Sequence, residues 1–376
     1  MDSRCSYRPT ALEFFAGSGL VSYAIKRHFK VVWANDNCDK KAAVYTANHG
    51  NKRFVLDSIE NIRGRKLPYA DMSWASFPCQ DLSLAGLNAG ITGQRSGLVW
   101  EWLRVIDEMP KKPPLLVAEN VEGLVSREAG GYYRLLHQEL IARNYLVGAM
   151  LLDAERWIPQ SRPRIFIVAV RNDFMLPKEY TTKEPNWLHT KSIQKAALGL
   201  ENWVWWSMPE PKRRTKTIED IIEWDAPYDD IKVIQRNLDL LSTRHFERLH
   251  RERTRVAPGY KRTRNGTQVL EIRFDGVAGC LRTPEGGSSR QLLVLLNEQG
   301  EYRTRLLTVR ETARLMGAPD SYKLPGTYNE GYKAMGDAVA VPVARYLANN
   351  LLHPLAVAYH EQNSKVGDPY IERITI

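Results

Sequence analysis

The sequence predicts an α/β fold: a doubly wound, mostly parallel sheet that carries a smaller, irregular domain. Three observations lead there. Short apolar segments alternate with amphipathic ones from residue 10 to about residue 170. Several of the apolar segments lack a polar face, as strands buried on both sides do. The first of them runs straight into a glycine-bearing turn, Ala16-Gly17-Ser18-Gly19. Alternation of this kind builds βαβ units.

Taken in order, strands are predicted over residues 11–15, 31–35, 72–77, 115–119 and 164–170, and helices over 20–29, 39–48, 98–109 and 132–142. The rhythm then stops. From about Arg171 to Arg305 come Pro- and Trp-containing segments and a basic stretch, with no βα repeat. We therefore expect a first domain over 1–170, a second, small domain over 171–305 inserted into it, and a closing part over 306–376 whose terminal helix returns to the first domain. Trp203, Trp205 and Trp206 are assigned to the core of the small domain, since large aromatics serve there more often than as exposed platforms. Near the end, Thr308 followed three residues later by Glu311 writes a capping box for a helix over 308–316, and a further helix is expected over 341–352.

A length of 376 residues favours two domains. The formal charge of +10 points to polyanionic partners, nucleic acid before membrane. Cys5, Cys38, Cys79 and Cys280 lie far apart with no CxxC pair and no His-rich partner at metal-ligand spacing, which argues against structural zinc or a disulfide framework. The N-terminal residues have no apolar leader and no apolar run is long enough to span a bilayer, so a cytoplasmic protein without membrane contact is expected.

Four places carry chemistry. Cys79 follows a buried strand directly after Pro78 and precedes a Gly- and Ser-rich run with Gly86, Gly90, Gly93 and Gly97, which suits a presented nucleophile beside a lid. A small buried hydrophobe is the other use of a free cysteine. The turn after the first strand lets backbone approach a ligand at a helix N-terminus. Asp36, ending the second strand, suits both hydroxyls of a ribose and, equally, the start of a helix. Glu119 ends a central strand, where a carboxylate is costly unless paired or used. Gln160-x-Arg162-x-Arg164 offers two guanidiniums, one to hold that glutamate and one to bind a substrate oxygen.

In this order, Phe15-Ala16-Gly17-Ser18-Gly19, Phe77-Pro78-Cys79-Gln80, Glu119-Asn120-Val121, Gln160-x-Arg162-x-Arg164, the block from Leu307 to Gly317, and Gly336-Asp337-Ala338-Val339 resemble the successive blocks of the DNA cytosine-5 methyltransferases of bacteria and phages. The resemblance implies a Rossmann-like catalytic domain that uses S-adenosylmethionine and no metal. It implies that Cys79 adds to carbon 6 of a flipped-out cytosine while Glu119 protonates ring nitrogen 3, with Arg164 on the cytosine carbonyl oxygen and Arg162 positioning Glu119. It implies a donor site over Phe15, Gly17 and Gly19, with Asp36 on the ribose, Asp57 near the adenine amino group, and Pro78, Asp337 and Ala338 completing it. A surface loop acid is the alternative for Asp57.

Duplex DNA is the implied partner, held by a monomer in the nucleoid, with a companion restriction endonuclease allowed. Contacts are assigned to Gln80, Ser83 and Arg95 beside the nucleophile, to Arg255, Arg262 and Arg264 of the basic stretch, and to Ser288 and Arg290. A solvated helix face is the plainer use of such a stretch. Two positions depart from the family pattern: Leu20 stands where a third glycine is usual, and Asp337 where asparagine is usual. A second carboxylate near the donor's own requires an offsetting cation, so Asp337 is expected to pair with the donor's amino group or a nearby base. RNA cytosine methylation, an inactive DNA-binding module and a Rossmann oxidoreductase are the competing functions.

Overall fold

A computed structural model describes residues 7–78, 97–282 and 290–364. Cys79, Gln80, Ser83, Arg95 and Ser288 lie outside the described residues. Seven strands form the main sheet: β1 (Thr10–Phe14), β2 (Lys30–Asp36), β3 (Phe54–Leu56), β4 (Met72–Ala75), β5 (Leu115–Val121), β6 (Tyr145–Asp153) and β7 (Pro163–Arg171). Their spatial order is β3-β2-β1-β4-β5-β7-β6, and β7 alone runs against its neighbours. The order reverses between β1 and β4, so the crevice at the carboxyl ends of those strands is where a doubly wound sheet receives ligands.

Period-2 alternation sends successive side chains of each strand to opposite faces. Leu12 and Phe14 join one core layer with Leu116, Ala118, Ile165 and Ile167. Ala11, Trp74, Val117, Phe166 and Val168 join the other. The same parity places Glu13, Glu119 and Arg164 on the second face, at its carboxyl edge. The intervening helices are α1 (Leu20–Ile25), α2 (Asp39–His49), α3 (Leu98–Glu108), α4 (Gly123–Ser126) and α5 (Gly131–Ile141).

Residues 172–208 differ from expectation. They form the short pair β8 (Thr181–Thr182) and β9 (Trp205–Trp206), with α6 (Lys191–Ala197) between. The three tryptophans are not in the core of a separate domain; they pack on the main sheet, Trp206 within one core layer and Trp203 and Trp205 against the other. Gly148 of β6 allows this approach: a Cβ there would lie 2.1 Å from the Val204 carbonyl oxygen and 2.6 Å from the Trp206 ring nitrogen. A tryptophan-rich run without βα rhythm carries no local sign of which sheet it will cover.

A second, antiparallel sheet of order β11-β10-β12-β13 comprises β10 (Val256–Arg264), β11 (Thr267–Ile272), β12 (Leu292–Leu296) and β13 (Tyr302–Leu306). It has its own core, including Leu249, Ala257, Leu270 and Val294, and is flanked by α7 (Ile231–Asp239) and α8 (Thr243–Glu252). The chain then runs through α9 (Val309–Leu315), α10 (Tyr328–Gly336), α11 (Val341–Leu347), a π-helical turn over Ala348–Leu352 and α12 (His353–Ser364). Val341, Ala344, Leu347 and Leu351 share a core layer with Leu20 and Val21 of α1. The closing helices thus pack on the glycine-turn side of the main sheet.

Candidate active site

At the carboxyl edge between β1 and β4 lies a cavity of about 660 Å³, within the usual range for sites that enclose small organic ligands. Of the residues singled out from the sequence, Phe15, Gly17, Asp36, Asp57 and Pro78 line one part of it. Glu119, Arg162, Arg164, Asp337 and Ala338 line it as well. Residues from four strands, the turn after β1 and the segment after α10 therefore meet around one space.

The turn is shaped by backbone conformations that side chains resist. Phe15 has φ 55° and Gly17 φ 54°, and such strain persists only where neighbours enforce it. Here the Ala16 amide donates to the Asn35 carbonyl (2.8 Å) and the Gly17 amide to Asp36 Oδ2 (2.8 Å). Asp36 Oδ1 also accepts from the Cys38 amide (2.9 Å), next to the start of α2. The two sequence readings of Asp36 are thus compatible: its carboxylate braces the turn and the helix start, and it faces the cavity. Gly19 stands behind the wall rather than in it. A Cβ on it would come within 2.7 Å of the His49 ring and 2.8 Å of Tyr45, so this glycine serves the packing of α2 against the turn. Leu20, in place of a third glycine, is buried in the α1 core.

Asp57 follows β3. Its Oδ1 accepts from the Ser58 amide and from Asn61 Nδ2, both at 2.8 Å, while Asn35 Nδ2 holds its carbonyl at 2.8 Å. The loop is fixed with the carboxylate at the cavity wall.

On the other side, Glu119 is 7% exposed and its Oε1 lies 3.2 Å from Arg164 Nε. Burial pushes its carboxyl above the ordinary range, outweighing the opposing pull of Arg164, Arg162 and the Ser76 side chain. The next residue, Asn120, donates to the Phe77 carbonyl (3.0 Å), locking the end of β5 to the strand exit that leads to Pro78.

Arg162 behaves differently from the sequence expectation. Its guanidinium donates to the carbonyls of Leu281 (2.9 Å), Gly336 (2.8 Å) and Ala338 (2.7 Å), and to Cys280 Sγ (3.3 Å). The ion-pair partner of Glu119 is Arg164, and Arg162 stitches the small-sheet side and the segment after α10 to the main sheet. Alternate residues of one strand share a face, but which guanidinium reaches the glutamate depends on carbonyls from elsewhere in the chain.

Glu13, Lys41, Ser76, Asn120 and Cys280, to which the sequence reading gave no role of their own, also line the cavity. Glu13 is fully buried, accepts from the Ser22 hydroxyl, and keeps Oε1 without a partner; burial lifts its carboxyl to about 8. Cys280 sits between the guanidiniums of Arg162 and Arg164; burial raises its thiol, but the two cations outweigh burial and hold it below the ordinary range. Lys41 Nζ pairs with Asp337 Oδ2 at 2.6 Å, which supplies the nearby base expected for that carboxylate. A clue to Lys41 was present: a lysine in the first turn of α2 opposes the helix dipole, so a tertiary partner is called for.

Part of the basic stretch is matched by acids of the same chain. Arg248 pairs with Glu252 (2.9 Å), Arg255 with Glu219 (3.1 Å) and Arg264 with Glu271 (2.6 Å). Arg255 also stacks on Trp224 and Arg262 on Tyr260, with 4.8 and 4.9 Å to the ring centres. Arg290 donates to Asn329 Oδ1 and lies over Tyr328. Exposed pairs of this sort contribute little to stability.

A family model described as C-5 cytosine-specific DNA methylase matches residues 10–353. The type II methyltransferase M.Bsp6I of Bacillus sp. (strain RFL6) is 28% identical over 344 residues, covering 90% of this chain and 96% of its own. M.HhaI of Haemophilus parahaemolyticus is 26% identical over 346 residues, covering 90% and 93%. Among solved structures, the S. pombe Dnmt2 methyltransferase superposes with a TM-score of 0.61 at 19% identity, covering 93% of this chain and 99% of that one, a likeness of fold.

Proposed function

The chain belongs to the C-5 cytosine-specific DNA methylase family and is a DNA cytosine-5 methyltransferase, and we propose that it methylates a flipped-out cytosine in a short duplex sequence through a transient bond to Cys79. The single observation that carries this reading is the shared cavity: the glycine turn with Asp36 and Asp57 opens into the same space as Glu119 and Arg164. A donor and a base placed there are neighbours.

The residues fit S-adenosylmethionine. Phe15, in its strained conformation, offers a ring to the adenine; Asp57 faces its amino group, and Asp36 the ribose hydroxyls. Pro78 and Ala338 close the wall, and Asp337 lies toward the amino-acid end. When bound, S-adenosylmethionine supplies the methyl group for carbon 5.

The chain's own residues must make carbon 5 nucleophilic. The Cys79 thiolate adds to carbon 6, and Glu119 donates a proton to ring nitrogen 3 as electron density moves to carbon 5. A carboxyl raised by burial is suited to that donation, since a fully ionised one would have no proton to give. Arg164, held beside Glu119, stabilises the developing charge and directs its remaining donors to the cytosine carbonyl oxygen. Arg162 keeps the segment 336–338 in place across from the base. After methyl transfer, a base takes the carbon-5 proton, the double bond between carbons 5 and 6 re-forms as the bond to the Cys79 thiolate breaks, and ring nitrogen 3 returns its proton to the Glu119 carboxylate.

Reaching an atom inside a duplex requires extruding the base, at about a few kcal/mol. We assign that task and sequence choice to three surfaces: the segment carrying Gln80, Ser83 and Arg95; the small sheet with Arg255, Arg262 and Arg264; and the Ser288–Arg290 region. The net charge of +10 supports a polyanionic partner, and the type II relatives favour a restriction–modification setting. Among the described residues no helix is long and apolar enough to cross a membrane. Incorporation of labelled methyl groups into duplex DNA, with unlabelled tRNA as competitor, tests the reading. Label in 5-methylcytosine of the DNA supports it; label confined to tRNA overturns the choice of substrate.

A further inference from the structure

We propose that Lys41 and Asp337 act together as a clamp for the α-amino-acid end of the donor, Asp337 receiving its ammonium and Lys41 its carboxylate, which makes Lys41 a specificity-determining residue. The inference rests on the donor reading given above. Lys41 Nζ and Asp337 Oδ2 are 2.6 Å apart, and both residues line the cavity shared by Asp36 and Glu119. Their side chains are 19% and 28% exposed, so the pair is neither sealed in the core nor dissolved in water.

Each partner is anchored to a different part of the site. The Lys41 stem passes the turn, its Cδ 3.9 Å from where a Cβ on Gly17 would lie. Asp337 is flanked by Gly336 and Ala338, whose carbonyls are both gripped by Arg162. The pair therefore spans the space between the glycine turn and the Glu119 side, where the donor's amino-acid end must run if its nucleoside occupies Asp36 and Asp57.

The charge logic follows. An isolated carboxylate at position 337 repels the donor's carboxylate, and an isolated lysine at position 41 repels its ammonium. Side by side they present one charge of each sign to a group whose ammonium and carboxylate are borne on one carbon, and both ends of that zwitterion gain an opposite partner. The competing account is a brace between α2 and α10. A brace already exists at the surface, where Lys40 Nζ lies 3.2 Å from Glu330 Oε1.

Calorimetric binding of three ligands separates the accounts: S-adenosylhomocysteine, its analogue lacking the α-carboxylate, and its analogue lacking the α-amino group. Lys41→Met should weaken S-adenosylhomocysteine and the amino-free analogue about ten-fold each while leaving the carboxylate-free analogue as tight or tighter. The isosteric Asp337→Asn should show the converse pattern, weakening the two ligands that carry the ammonium and sparing the amino-free one. If either variant shifts all three ligands alike, or none, the pair is a brace and the clamp is overturned. If the wild-type protein binds none of the three, the donor reading itself fails.

Discussion

Glu119 carries the largest conflict at the residue scale. It is buried, which favours its neutral form, yet it lies 3.2 Å from the Arg164 guanidinium, which favours the ionised one. Burial prevails, and the arginine keeps the carboxyl within reach of ionisation, the balance required of a group that gives up a proton during a reaction. Glu119→Gln keeps the shape and removes the proton. We expect single-turnover methylation to fall by about 10²–10⁴-fold, with affinity for S-adenosylhomocysteine unchanged. A loss of that affinity in parallel would assign Glu119 to the donor site instead.

At the scale of elements, α9 shows how a short local signal becomes a tertiary joint. Thr308 and Glu311 form the capping box written in the sequence: the Glu311 amide donates to Thr308 Oγ1 (3.1 Å), and the Thr308 amide to Glu311 Oε2 (2.7 Å). Glu311 does more than cap. Fully buried, it accepts from both terminal nitrogens of Arg305 (2.6 and 2.8 Å) and from the Glu223 amide (2.8 Å), joining the small sheet to the closing helices. Thr308→Ala should cost about 1 kcal/mol in urea unfolding. Glu311→Ala, which strands a buried guanidinium, should cost about 3–5 kcal/mol; equal costs would reduce Glu311 to a cap. The same contrast explains what the sequence revealed. Strands β1, β2, β4, β5 and β7 were legible because each is a compact apolar run. β3 was not, having three residues and none fully buried, nor was β6, whose Gly148-Ala149-Met150 centre has little strand character. The reversed direction of β7 has no local mark at all. In the site, the glycine turn and the strand-end acids announce themselves by position, whereas Lys41 and Cys280 matter through partners far along the chain.

For the whole molecule, one core layer runs from Ala11 through the main sheet to Ala356, so the first strand and the last described helices share a single packing unit around the site. Within that unit lies Glu13, whose carboxyl is raised from 4.5 to about 8 by burial. The folded state then binds more protons than the unfolded chain between those values, so the stability present below 4.5 is progressively lost as pH rises toward 8. Glu13→Gln should flatten that slope when unfolding free energy is followed across the window; an unaltered slope would place the titration elsewhere. The central claim concerns the union of base and donor in one cavity, and it is tested most directly by trapping. Duplex DNA carrying 5-fluorocytosine at the target site, incubated with the protein and S-adenosylmethionine, should yield a complex that survives denaturing electrophoresis and maps to Cys79. Its formation should be abolished by Cys79→Ala. A duplex that is methylated at carbon 5 by the wild-type protein but never becomes attached to that sulfur would contradict the account.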